Sequence, residues 1–223
     1  MTDQPAQSSE VTRVSPLGSA ATPARLVVLI SGSGTNLERL MTVAAQPGAP
    51  YTIVGVGADR DSIRGLEIAR GAGLPTFVHR VADYPTRDDW DCALTADIAA
   101  FHPDLVVSAG FLKILGSRCL AAFDGRILNT HNALLPAFPG IHGPADAWEY
   151  GVKVAGATLF VVDAGTDTGV IVAQCVVPIY DDDTVDVLTE RIKAAERDQL
   201  VEYVERLVRE GWTIRGRRLS LGV

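Results

Sequence analysis

Three cysteines in 223 residues (Cys92, Cys119 and Cys175) are too few and too far apart for a disulfide framework, and no two form a CxxC pair. A reducing, cytoplasmic setting is the expectation. Long apolar runs are missing too: the hydrophobic segments are strand-sized, and the first residues lack the positive start and apolar core of a signal sequence. No membrane partner is expected. Cationic residues are the minority, 20 against 27 acidic ones, for a formal net charge of -7. Without a stripe of Lys or Arg to release counterions, nucleic acid is not an expected partner. The 4 histidines (His79, His102, His131 and His142) form neither HxH nor HExxH and have no cysteine partner at ligand spacing. A catalytic metal is therefore not expected.

What the chain does have is 47% hydrophobic residues, enough for one domain with a substantial core. Residues 1–24 are rich in Ser, Thr, Ala, Pro and Gln without an apolar period and read as a flexible tail; residues 25–223 read as a single domain. From Arg25 onward, strands are predicted at 26–30, 52–56, 76–79, 105–108 and 127–129, alternating with helices at 36–45, 65–72 and around 88–101. That alternation is the signature of an α/β protein, a Rossmann-like, mostly parallel sheet with flanking helices. Runs at 154–162 and 170–179, joined by turn-forming residues 163–169, read as a β-hairpin added C-terminally to the sheet. A late helix follows Asp183-Thr184, a fitting N-cap, with apolar positions at Val185, Leu188, Ile192, Ala195, Leu200, Tyr203 and Leu207.

The first predicted strand runs into Ser31-Gly32-Ser33-Gly34-Thr35-Asn36-Leu37. A glycine-rich turn between strand and helix presents backbone N–H groups and the positive end of a helix dipole, which is a seat for phosphate. Leu37 stands where a dinucleotide fingerprint needs its third glycine, and no lysine follows to make a nucleoside-triphosphate loop. Gly34, Thr35 and Asn36 suit a single terminal phosphate. The same glycines also suit a plain tight turn, and the pattern leaves both readings open.

Asn129-Thr130-His131 closes a predicted strand at the carboxyl edge, where α/β sheets place ligands. Two residues of extended chain put the amide and the imidazole on one side, able to converge on one carbonyl oxygen. Asp167, in a loop rich in Asp, Gly and Thr, is either ordinary turn chemistry or a carboxylate that favours the imidazolium. An amide donor, an imidazole and a carboxylate together suit acyl transfer. His142, after Pro139-Gly140, is read as a supporting wall, and His79 and His102 as structural.

With these blocks in view, the chain resembles the phosphoribosylglycinamide formyltransferases, within the wider group of formyltransferases that use 10-formyltetrahydrofolate. The resemblance runs from Arg25 to about Leu207 and rests on four ordered blocks. These are residues 28–37; Ala109-Gly110-Phe111-Leu112-Lys113-Ile114-Leu115; Asn129-Thr130-His131 with Leu134-Leu135-Pro136; and Gly156-Ala157-Thr158 leading to Asp167-Thr168-Gly169. It implies the formyltransferase fold, a 10-formyltetrahydrofolate donor, a glycinamide ribonucleotide acceptor and a role in purine synthesis. By position it implies Asn129, His131 and Asp167 as the catalytic set, and Gly34, Thr35 and Asn36 as the phosphate loop. Leu112, Lys113, Ile114 and Leu115 become the segment whose backbone holds the pterin, Arg87 and Asn129 lie by the folate, and Glu196 meets the acceptor's amine. Read without the resemblance, Leu112, Ile114 and Leu115 are core residues, and Lys113, Arg87 and Glu196 are surface charges.

The sequence departs from the family's usual pattern where Asn132-Ala133 replaces Pro-Ser. Losing the proline loosens the turn and adds a backbone donor, so altered loop geometry with retained chemistry is expected. Lys113 stands where arginine is common, which weakens bidentate contact with a folate carboxylate. A deformylase normally carries a regulatory domain ahead of this unit, and a methionyl-tRNA formyltransferase an RNA-binding domain after it; both are disfavoured by length. A non-catalytic phosphate- or dinucleotide-binding module is disfavoured by the joint placement of Asn129, His131 and Asp167. A homodimer is compatible with the sequence, since a dimer face and a core face look alike in an apolar strand.

Overall fold

The computed structural model describes residues 11–222. Its centre is β2 (Ala24–Ile30), a nearly continuous apolar strand because both of its faces are covered. Around it lie β3 (Tyr51–Ala58), β4 (Thr76–Val78), β5 (Leu105–Ser108), β6 (Ile127–His131), β7 (Val154–Val161) and β8 (Val170–Pro178). They form a seven-stranded sheet of order β4-β3-β2-β5-β6-β7-β8. The first five are mutually parallel, and β7 and β8 run antiparallel to their neighbours as the expected hairpin.

Alternation along β2 sorts its side chains into two layers. Leu26, Val28 and Ile30 pack with Leu37 and Leu40 of α1 (Thr35–Ala44) and with Leu200, Val204 and Leu207 of α6 (Val185–Glu210). Val27 and Leu29 pack on the other face with Trp90, Leu94 and Ile98 of α3 (Arg87–Ala100) and Cys119 of α4 (Ser117–Ala122). Thr184 caps α6 as its sequence suggests, accepting from the Val187 N–H at 3.3 Å. The carboxyl ends of β2, β5 and β6 therefore open on one edge, with Ser31, Ser108 and His131 at their tips.

The chain continues past α6 into β9 (Trp212–Arg215) and β10 (Arg218–Leu221), which form a separate antiparallel sheet with β1 (Val11–Val14). Residues 11–14 thus depart from the flexible-tail reading, while residues 1–10 lie outside the described residues. Four residues are too short to show a period, and their partners sit at the far end of the chain. Val14 pairs with Trp212, both are buried, and the Leu17 and Gly18 N–H groups donate to the Val208 carbonyl at 2.9 and 3.2 Å. No helix among the described residues is long and apolar enough to cross a membrane.

Trp212 is fully buried where this small sheet meets the main core. Trp212→Ala is expected to destabilise the fold by about 3–5 kcal/mol, read as a lowered urea midpoint. An unchanged midpoint would mean that the terminal sheet adds nothing to global stability.

Candidate active site

The turn after β2 is shaped by close packing of backbone. Gly34 has φ +76°, and a Cβ there would lie 2.6 Å from the Gly65 Cα. Only glycine fits. Gly34 occupies the N-cap position of α1 without a side-chain cap, so the first N–H groups of the helix have no intrahelical partner. Residues 33–36 line a cavity of about 570 Å³. Gly34 and Thr35 lie at the start of α1 on the cavity wall. The Asn36 side chain is engaged within the cavity wall: its Nδ2 donates to Glu196 Oε1 at 3.4 Å, and both residues line the cavity.

At the carboxyl end of β6, Asn129 and His131 line the same cavity, as their spacing requires. Asn129 Oδ1 accepts from the Ser108 hydroxyl at 2.8 Å. His131 Nε2 lies 2.8 Å from the Phe138 carbonyl, and because a carbonyl only accepts, Nε2 carries the hydrogen. Nδ1 is then the nitrogen free to gain and lose a proton, and it lies 3.8 Å from Asp167 Oδ2. That carboxylate oxygen accepts from the Gly140 N–H at 2.8 Å. Asp167 adopts φ +54°, a left-handed turn conformation that aspartate tolerates. At 3.8 Å the carboxylate does not occupy Nδ1 by a hydrogen bond. His142 also lines the cavity. His79 meets the Tyr84 hydroxyl and Asp97, away from the cavity.

Glu196, on α6, is buried rather than a surface charge. Two amides hydrogen-bond to it: Asn36, and Asn132 with its amide nitrogen 2.9 Å from Oε2 and 3.2 Å from Oε1, the nitrogen side being set by the carboxylate it faces. Burial pushes the Glu196 carboxyl above the ordinary glutamate range, and hydrogen bonding only partly opposes this. Asn132 thus contributes to the site through its side chain.

Residues 111–115 form another wall. Leu112 and Ile114 are 58% and 61% exposed, which corrects their reading as core residues, whereas Leu115 is buried. The wall is fixed at three points. The Leu112 N–H donates to Ser31 Oγ at 2.8 Å, Arg87 Nη2 donates to the Ile114 carbonyl at 2.5 Å, and Lys113 Nζ lies 3.4 Å from Asp59 Oδ2. Arg87 does not line the cavity itself; it stacks 4.2 Å from the Trp90 ring centroid and acts on the wall from behind. Burial alone would raise the Asp59 carboxyl, but hydrogen bonds from Arg60 and Ser31 and the Lys113 charge outweigh it and hold the group below its usual range. Among the described residues no group of three or more His, Cys, Asp or Glu side chains could hold a metal ion.

Comparison with known proteins fits this geometry. The family model described as formyl transferase matches residues 24–204. The chain belongs to the formyl transferase family. A phosphoribosylglycinamide formyltransferase of Mycobacterium tuberculosis is 56% identical over 200 residues, covering 90% of this chain and 92% of that one. The trifunctional purine biosynthetic protein adenosine-3 of Drosophila melanogaster is 40% identical over 174 residues, 77% of this chain but 13% of that longer protein. Among solved structures, glycinamide ribonucleotide transformylase 1 of Symbiobacterium toebii superposes with a TM-score of 0.87 at 40% identity, covering 90% of this chain and 95% of that one. This formyltransferase is therefore an enzyme with the fold its sequence suggests.

Several residues that shape the site of this formyltransferase carry no local sequence signal: Ser108, Asp59, and the backbone of Phe138 and Gly140. Asn132 does carry one, its departure from the usual proline. A buried carboxyl whose folded pKa is raised stabilises the fold fully below its unfolded pKa and loses that contribution as pH rises through the folded pKa. Glu196→Gln should therefore be more stable than the parent at pH 7.5, by about 2–4 °C in Tm for each kcal/mol relieved. The gap should close as pH falls toward the ordinary glutamate range of about 4.3. Melts in which the parent is equally stable at neutral pH would refute the burial penalty.

Proposed function

We propose that this formyltransferase moves the formyl group of 10-formyltetrahydrofolate to the amine of 5'-phosphoribosylglycinamide, giving formylglycinamide ribonucleotide and tetrahydrofolate in de novo purine synthesis. The observation that carries the reading is one cavity lined by residues 33–36, by 111–115, and by Asn129, His131 and Asp167. Helix N–H groups without partners suit a ribonucleotide phosphate. Exposed Leu112 and Ile114, with the backbone between them held from behind, suit a flat heterocycle that needs both an apolar face and backbone hydrogen bonds. The name of the 56% identical relative supports the choice of acceptor.

The chemistry follows from the placement of three side chains. As the amine bonds to the formyl carbon, negative charge gathers on the carbonyl oxygen, and Asn129 Nδ2 and protonated His131 donate to it. His131 passes its Nδ1 proton to the folate N10 as the carbon–N10 bond breaks. Asp167 takes the proton leaving the amine, directly or through a water, and returns it to Nδ1. Nε2–H stays on the Phe138 carbonyl throughout, so the ring does not turn between steps. Glu196, held by Asn36 and Asn132, faces the acceptor's amine.

The direct test follows the absorbance change on deformylation of 10-formyltetrahydrofolate with and without glycinamide ribonucleotide. Deformylation should require the ribonucleotide; loss of the formyl group without it would reassign the enzyme as a hydrolase. His131→Ala should lower turnover by about 10² to 10⁴-fold while calorimetry shows the acceptor still bound. Parent-like turnover in that variant would remove His131 from the mechanism.

A further inference from the structure

An amide side chain is nearly symmetrical in shape, with an oxygen and a nitrogen of similar size at its two ends. Asn129 can stabilise an oxyanion only with its nitrogen toward the cavity; turned over, it would present a partial negative charge to the developing one. The parallel register of β5 and β6 places Ser108 directly beside Asn129. Ser108 is buried, and its hydroxyl donates to Asn129 Oδ1 at 2.8 Å. Asn129 Nδ2 has no hydrogen-bond partner among the described residues, and both side chains belong to residues lining the cavity. The oxygen end is anchored and the nitrogen end is left available.

We propose that Ser108 is a positioning residue for formyl transfer: its hydroxyl fixes the Asn129 amide so that Nδ2 meets the oxyanion. This rests on the reading of Asn129 as an oxyanion donor and adds a residue that does not touch the reacting atoms. A hydroxyl is suited to the task because it can donate to the amide oxygen from the neighbouring strand without adding a charge to the site. Its effect should fall on the transition state, where the amide is needed, and not on the binding of either substrate.

Ser108→Ala is expected to lower kcat by about 3- to 10-fold, the range of a single neutral hydrogen bond, with KM for 10-formyltetrahydrofolate and for glycinamide ribonucleotide unchanged. The loss should be the same at every pH, because no titrating group is altered, and Ser108→Thr should restore turnover by restoring the hydroxyl. The deciding comparison is with Asn129→Ala. Combined with it, Ser108→Ala should cost nothing further, since the amide it orients is gone. A parent-like kcat in Ser108→Ala, or the same fold-loss in the Asn129→Ala background, would overturn the assignment. Parent-like turnover in Asn129→Ala alone would instead overturn the oxyanion role on which it rests, and this proposal with it.

Discussion

The hydrogen bond from His131 Nε2 to the Phe138 carbonyl decides which atoms of the site can do chemistry. A carbonyl oxygen has no proton to give, so Nε2 keeps its hydrogen whether the ring is neutral or charged, and Nδ1 alone exchanges a proton. The same turn binds the carboxylate partner, because the Gly140 N–H donates to Asp167. Residues 138–140 therefore hold the imidazole and the carboxylate in one frame, with Nδ1 and Oδ2 left 3.8 Å apart. Phe138 takes φ +52°, a left-handed conformation that disfavours non-glycine residues by about 1–3 kcal/mol. The surrounding contacts must hold that turn in place, and its backbone geometry is coupled to the site on both sides.

Much of this is legible in the sequence, and the legible part has a common cause. Strand periodicity fixes which side chains share a face, so the spacing of Asn129 and His131 is enough to place them together. Gly34 is readable for a similar reason: a glycine at a strand-to-helix turn signals close backbone approach, here to Gly65. What is not legible depends on contacts between segments far apart in the chain. Glu196 looks like any charge on an amphipathic helix, and nothing local predicts that it is buried and hydrogen-bonded by Asn36 and Asn132 from two other elements. Leu112 and Ile114 look like core residues in an apolar string, yet the chain leaves β5 through Gly110 at φ +79° and exposes them. The strand Val11–Val14 is similar: nothing local distinguishes it from the polar residues before it until Trp212 arrives to pair with it.

Two buried carboxylates show how surroundings assign opposite roles to the same chemical group. Asp59 is met by the Arg60 guanidinium through bonds of 3.1 and 2.9 Å and by the Lys113 ammonium, and its carboxyl is held below the ordinary range. Its charge is already neutralised by cations of the protein, so little attraction is left for a ligand, and its effect is to brace the wall at residues 111–115. Lys113 is engaged by the same pairing while lining the cavity. Glu196 is hydrogen-bonded by the amides of Asn36 and Asn132, and the nearby cationic groups, Arg197 and His131, lower its carboxyl less than burial raises it. Burial raises its carboxyl, so the ionised form carries an energetic penalty that an arriving cationic or strongly donating group would relieve. An amine-bearing acceptor is such a group. The protein thus keeps one buried carboxylate paired with cations and leaves the other held by amides on the wall of the cavity.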